Sequence, residues 1–397
     1  MKGIFRDNCL RGLWPRGCLD INWHDLFYAA QAPLLSGSRS QQVWPTKAPQ
    51  LSMFSVRTAW DALLSVKNWP KGSEIIISEA NIPDMVQIIK LHDLVPIVAR
   101  LDIDTLTVNA SDILALITPK TKAILISSLF GSRVNLSEIG QVAKENNLLL
   151  VEDNAQGYRG IDYIGSPDAD VSLFSFGLIK TRTTLSGSVI FAHDSKLLEE
   201  IASHACQYPI VSTAKFYQKL MRACLLKLFS QRFLFATFWR ILQMNSINPD
   251  MWLSQATRGM SGADLLTAVR HQPHHATLKL LRHRLSKDNH FDADRKAIIE
   301  RAQKAMRLLK GAIGKHAADS VFWALPVRVS NRERLIIKAY EAGFDVSFRA
   351  SSLVSHSTEP TPFSHALENV IFLPISTDMP CNEWNRLLDI VREFDIN

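Results

Sequence analysis

The 397-residue sequence contains no run of about 18 uninterrupted apolar residues, so it offers no membrane-spanning helix. Cysteine is scarce. Cys9, Cys18, Cys206, Cys224 and Cys381 are odd in number, scattered and without a CxxC pair. That argues against a disulfide framework or a zinc site, so no metal is expected and a reducing, cytoplasmic setting is. The opening MKGIFRDNCLRGLWPRG has basic residues but no apolar core of signal-peptide length. Low-complexity tracts, sustained heptads and solenoid-period repeats are also missing, which sets aside disordered, coiled-coil and repeat architectures. One absence is local. Between Ile201 and Pro249 there is no Asp or Glu, whereas Lys215, Lys219, Arg222, Lys227, Arg232 and Arg240 all lie there. The net charge of +7 is therefore concentrated in part of the chain and does not by itself point to nucleic acid.

What remains is ordinary globular composition, 47% hydrophobic and 21% charged, enough for one large domain and a smaller one. From about Ser55 to Ala192, β-branched runs alternate with amphipathic helical patterns. The runs are IIIS (75–78), VPIVA (95–99), AILIS (123–127), LLLVED (148–153), VSLFSF (171–176) and SVIFA (188–192), with helices expected over 84–92, 109–117 and 135–146. This alternation predicts an α/β fold with a mainly parallel central sheet covered by helices on both faces. Ligands of such sheets sit beyond the carboxyl ends of strands, where Asp153 and Ser175 fall. After Ser195 the pattern turns helical to about Leu309, including a long segment over 262–285. VFWALPVRV (321–329), a helix from Asn331 to Ala342, FDVSF (344–348), VIFLPI (370–375) and a helix over 382–394 then predict a small α+β domain. The expected division is 1–255 for the large domain and 256–397 for the small one.

Several stretches resemble one family, the DegT/DnrJ/EryC1/StrS aminotransferases of amino-sugar and antibiotic biosynthesis. They are GSEIIIS (72–78), LDIDTLTVNASDILALITPKTKAILI (101–126), LLLVEDNAQG (148–157) and ADVSLFSFGLIKT (169–181), joined by WALPVRV, RERLIIKAYEAGFDV and VIFLPIS. The likeness covers about three-quarters of the chain, and the paired EDxAQ and SFxxxK motifs are its most specific part. It implies the aspartate aminotransferase-like fold type I and the cofactor pyridoxal 5′-phosphate. That cofactor needs a lysine, a carboxylate for its pyridine nitrogen, phosphate donors and walls for its ring. By resemblance Lys180 is the Schiff-base lysine, Asp153 the partner of the pyridine nitrogen, Gln156 the neighbour of the phenolic oxygen and Ser175 a phosphate ligand. Ser55, Val56 and Arg57 stand where the family has Ser-Gly-Thr at a helix N-terminus, a place suited to phosphate. Ile82 stands where the family has an aromatic ring wall. The family's Asn-Tyr-Arg motif, contributed by a second subunit, is blurred to ATRGMS (256–261), with Arg258 as the corresponding arginine.

The expected activity is transamination from a glutamate-like donor to a keto acceptor such as a ketosugar nucleotide, in a homodimer that binds no nucleic acid. A PLP-dependent elimination or dehydration enzyme and a non-catalytic partner of the same fold stand as alternatives, the latter because of the changes at Val56, Arg57 and Ile82. His271, His274 and His275 share the i, i+3, i+4 spacing of one helix face, but Pro273 intervenes and no carboxylate accompanies them, so polar surface is the reading preferred to a metal site. No GxSxG elbow frames a serine nucleophile. The basic, aromatic-rich stretch 213–244 is expected to be an amphipathic helical insert packed on the enzyme or a dimer mate. Peripheral contact with an anionic membrane is its alternative.

Overall fold

The computed structural model describes residues 12–35, 42–245, 264–287, 293–348 and 352–396. Its strands are β1 (Gln50–Met53), β2 (Glu74–Ser78), β3 (Ala80–Asn81), β4 (Val95–Ala99), β5 (Thr121–Ser127), β6 (Leu149–Asp153), β7 (Val171–Ser175), β8 (Ser188–Ala192), β9 (Leu325–Arg328), β10 (Val354–Ser355) and β11 (Val370–Leu373). Seven form the central sheet in the order β1-β8-β7-β6-β5-β2-β4. From β4 to β7 neighbouring strands run parallel; β8 pairs antiparallel with β7, and β1 antiparallel with β8. The mainly parallel sheet is thus present.

The apolar runs are explained by burial on both faces. Ile75 and Ile77 of β2 enter the core that holds Trp60, Leu63, Met85 and Ile88, whereas Ile76 enters the opposite core with Ile124, Ile126, Ile139 and Leu150. A strand that alternates sides between two helix layers has no face left for polar residues. Helices Val56–Lys67, Pro83–Leu91, Ala110–Leu116 and Ser137–Glu145 provide those layers. The connection from β7 to β8 contains no helix, and it carries Lys180 across the carboxyl end of β7.

Two expected elements need correction, one helical and one a strand. The segment 262–285 is not one helix: Leu265–Val269 and His275–Ser286 are separated by an extended stretch. Pro273 has no N–H to donate and disfavours helical backbone at Gln272, so the helix restarts only after it. His274 becomes the N-cap, its Nδ1 accepting from Ala276 N at 3.2 Å. His271 lies outside the helix, 5.7 Å from the ring of Phe54. The three histidines therefore do not share a helix face. FDVSF is not a strand either. It makes single bridges, Phe344 to Trp14 and Ser347 to Phe372. The N-terminal segment is the partner on one side: Trp14 N donates to Gly343 O and Asp345 N to Trp14 O, and Arg16 donates to both Asp345 carboxylate oxygens at 2.6 and 2.7 Å.

The basic insert folds as Thr213–Phe229 and Arg232–Met244. The first buries Phe216, Leu220 and Ala223 against Leu26, Ala29, Ala276 and Leu280; the second buries Phe235, Ala236 and Trp239 beside Leu13 and Tyr340. Both helices pack on the body of the protein, while Met221, Leu225, Phe233, Ile241 and Met244 remain exposed. No helix among the described residues is long and apolar enough to cross a membrane. Beyond the large sheet, β9 and β11 pair antiparallel over helices Arg332–Glu341 and Cys381–Arg392, with Leu335, Phe344, Trp384 and Leu388 in a core of their own.

Candidate active site

One open cavity, about 560 Å³ counting the solvent space at its mouth, lies at the carboxyl ends of the parallel strands. Ser55, Val56, Arg57, Ile82, Asp153, Gln156, Ser175 and Lys180 all line it. Arg258 and the ATRGMS segment lie outside the described residues.

The EDNAQ motif closes β6, and strand alternation divides its two acids. Glu152 points away and is held by Tyr163 Oη at 2.8 Å, Ser166 N at 2.8 Å and Ser172 Oγ at 3.0 Å. Asp153 faces the cavity, with one oxygen accepting from Ala155 N at 2.9 Å. Burial raises its pKa above the ordinary carboxylate value, against the lowering effects of that hydrogen bond and of Lys180. A cation brought to Asp153 would favour its ionised form. Gln156 has its amide oxygen fixed by Phe130 N at 2.7 Å, so a donor is the end it offers to a ligand.

Lys180 sits with its Nζ 4.3 Å from the centre of the Trp323 ring. Burial lowers its pKa to about 8; Asp153 opposes the shift and Arg57 adds to it. An amine so placed is available in its neutral, nucleophilic form close to neutral pH. Trp323 is itself tied down, its Nε1 donating to Ile179 O at 3.0 Å and its N to Phe130 O at 2.9 Å. Gly131 permits this approach. Its φ is +94°, and a Cβ there would lie 2.6 Å from Trp323 N.

At the other end of the cavity, Ser55 caps helix Val56–Lys67, accepting from Thr58 N at 3.1 Å. The first-turn N–H groups of Val56 and Arg57 have no acceptor within their helix and suit an anion. The Arg57 guanidinium is ion-paired with Asp84, the structural role that competes with phosphate binding. Ser175 Oγ is only weakly engaged, 3.5 Å from Gly177 N. Ile82 forms an aliphatic wall, positioned by Asn81 Oδ1, which accepts its N–H at 2.8 Å.

Asp61 holds the segment after Val269 against this helix. It is fully buried and accepts from Arg270 Nε and Nη2 at 2.9 and 3.0 Å and from Tyr208 Oη at 3.1 Å, with a His92 ring nitrogen at 2.9 Å. Burial would raise its pKa, but the bonds from His92 and Arg270 outweigh it and hold the carboxyl at about 2. A depressed carboxylate contributes stability above its unfolded value, and that contribution is lost as pH falls toward 2. Asp61→Ala is expected to reduce unfolding free energy by about 3 kcal/mol at neutral pH, since Arg270 is left without its partner. Urea titration at pH 7 and at pH 3 checks this; an equal loss at both would show that packing rather than the charge matters.

Sequence reasoning missed Asn81, Ser127, Ser128, Leu129 and Leu353 of the cavity lining, and Trp323 beside Lys180. Ser127 ends β5 as Asp153 ends β6, and Ser128 follows it, so the same strand-end signal could have found them. Ser128 Oγ is buried without a hydrogen-bond partner, and it lies in the wall of a cavity ready for a polar ligand. A neutralising acid, a desolvated lysine, an anion-binding helix start and an unpaired hydroxyl together fit a flat, phosphorylated, protonated heteroaromatic ring.

The model of the DegT/DnrJ/EryC1/StrS aminotransferase family matches residues 51–228. The GDP-perosamine synthase of Escherichia coli O157:H7 is 35% identical over 133 residues, which are 32% of this chain and 36% of that protein. The match thus spans about a third of the length of the curated relatives. Among solved structures, the E. coli GDP-4-keto-6-deoxy-D-mannose-3-dehydratase is similar with a TM-score of 0.69 at 14% identity, over 96% of this chain and 99% of that one. An aminotransferase of Streptoalloteichus hindustanus is similar with a TM-score of 0.62 at 15% identity, over 99% and 95%. These likenesses identify the fold as type I of the PLP-dependent transferases.

Proposed function

We propose, from the membership of residues 51–228 in the DegT/DnrJ/EryC1/StrS aminotransferase family, that this chain is a PLP-dependent aminotransferase acting on a ketosugar nucleotide. The observation that carries the reading is the meeting of Lys180 and Asp153 in one cavity with the capped start of helix Val56–Lys67. When bound, PLP supplies an electron sink for the carbanion left when a proton leaves Cα of the amino donor. Lys180 Nζ anchors the cofactor, then takes and returns that proton. Asp153 keeps the ring nitrogen protonated, and the Gln156 amide donates toward the ring oxygen. Ser55, Ser175 and the first-turn amides of Val56 and Arg57 hold the phosphate, while Ile82 presses on the ring. An amino acid such as glutamate gives the nitrogen, and the sugar's keto carbon receives it. The name of the perosamine synthase relative supports a nucleotide-linked sugar as acceptor.

The purified holoprotein should show a visible absorbance band that glutamate bleaches and a keto sugar nucleotide restores, with an amino sugar as product. A product that has lost a hydroxyl instead would replace transamination by elimination, and a protein that takes up no cofactor would remove the enzyme reading altogether. The homodimer belongs to the same proposal; a solution mass of 44.7 kDa rather than twice that would remove it.

A further inference from the structure

The helical insert does more than pack. Lys219, in the middle of Thr213–Phe229, carries its Nζ back over the ring of Phe54, 4.2 Å from its centre. Phe54 immediately precedes Ser55, the cap of the helix whose first turn closes the cofactor cavity. On the other side Phe54 meets His271, and Val269 O accepts from Thr58 Oγ1 at 2.7 Å, so the insert and the 269–271 segment both converge on this helix start.

The electrostatics of Lys219 are one-sided. Burial lowers its pKa to about 8, and among the described residues the charges acting on it are cations: Arg57 most strongly, then Lys215 and Arg222. No carboxylate is among these influences, and the insert has none to give. Arg57, the strongest of the three, also acts on Lys180 and lines the cavity. A desolvated ammonium among like charges is unfavourable until an anion arrives, and a phosphate dianion supplies what is missing. Arg57 spends part of its own charge on Asp84, which leaves a second cation with work to do.

We propose that Lys219 of the insert is a further binding residue of this site, placed by the Phe54 ring to neutralise the phosphate end of the cofactor together with Arg57. The inference rests on the PLP reading above and adds to it a residue from a segment that none of the cofactor motifs includes. It also gives the acid-free composition of the insert a purpose, since a nearby carboxylate would satisfy Lys219 in place of the ligand.

The bland alternative is that the aliphatic stem of Lys219 simply packs on Phe54, with a cation–π contact as its whole contribution. Lys219→Met keeps the stem and removes the charge, and Lys219→Arg keeps the charge. The readout is binding of pyridoxal 5′-phosphate against pyridoxal, which lacks the phosphate, to the cofactor-free protein. Lys219→Met is expected to weaken the phosphorylated ligand about tenfold or more, the size of one charge-assisted contact, and to leave pyridoxal unchanged. Lys219→Arg is expected to keep most of the phosphate preference. Equal losses for both ligands, or none for either, would overturn the proposal. Inorganic phosphate provides an arm that does not depend on the cofactor: it should raise the melting temperature of the cofactor-free wild type and not that of Lys219→Met. If wild type binds no PLP yet phosphate protects through Lys219, the enzyme reading fails and the anion site stands; protection unaffected by Lys219→Met sinks the anion site.

Discussion

Lys180→Ala is expected to abolish the visible band of the bound cofactor and to lower turnover by at least roughly 10³-fold, because the proposed anchor and proton carrier are lost together. The same change should leave the cofactor-free protein more stable at neutral pH. Folded, Lys180 has its pKa lowered from 10.5 to about 8 by burial, so its charged form is disfavoured in the native state. A lysine with a depressed pKa destabilises the fold at all pH values below its folded value, and the penalty fades as pH rises toward the unfolded value. The difference amounts to about 3 kcal/mol at roughly 1.4 kcal/mol per pKa unit, partly offset by the lost contact with Trp323. Thermal unfolding of cofactor-free wild type and variant should therefore diverge at pH 7 and converge near pH 10. The bond from Trp323 Nε1 to Ile179 O is made to backbone and survives the substitution, so the local frame persists. A variant that still holds the cofactor covalently would place the anchor elsewhere; one that is less stable than wild type at pH 7 would show that the lysine is structural.

The stability cost of the lysine is a general feature of reactive sites, where groups are kept in environments they would not choose. It also bears on what a sequence reveals. Lys180, Asp153, Gln156 and Ser175 were legible because each ends or follows a strand whose apolar run is unmistakable, and because EDNAQ and SFGLIK occur as a spaced pair. The parallel strands were legible for the same physical reason: burial on both faces leaves unbroken runs such as LLLV. β1 was not, since QLSM at the sheet edge carries too little apolar periodicity to stand out. Trp323 was not, because nothing local records that residue 323 meets residue 180; only the Gly131 backbone, which lets the two segments close up, brings them together. The break before His275 was signalled by Pro273, but the helical periodicity on either side was the stronger pattern. Lys219 was visible only as one of six basic residues. Its distinction is the ring it rests on and the cation it faces, both of which are tertiary facts.

Asp153 provides the second large effect, and it separates cofactor retention from cofactor activation. Asp153→Asn preserves the size of the side chain and its acceptor for Ala155 N, so the end of β6 should keep its shape. The cofactor should still attach at Lys180. What is lost, on the proposed role of Asp153, is the negative charge that keeps the ring nitrogen protonated, and with it the electron sink. Turnover is expected to fall on the order of 10²–10³-fold, the size associated with removing one preorganised charge-stabilising group. Stability should move the other way. Burial raises the Asp153 pKa, so its ionised form costs stability at pH values above the folded pKa; the amide carries no such cost, and the cofactor-free variant should unfold later than wild type at pH 7. A cofactor methylated on its ring nitrogen is permanently charged there and needs no carboxylate to hold a proton. It should recover part of the lost rate in Asp153→Asn while adding nothing to wild type. If the variant instead loses the cofactor, or if the methylated form rescues nothing, then Asp153 is a support of the strand end rather than the partner of the ring.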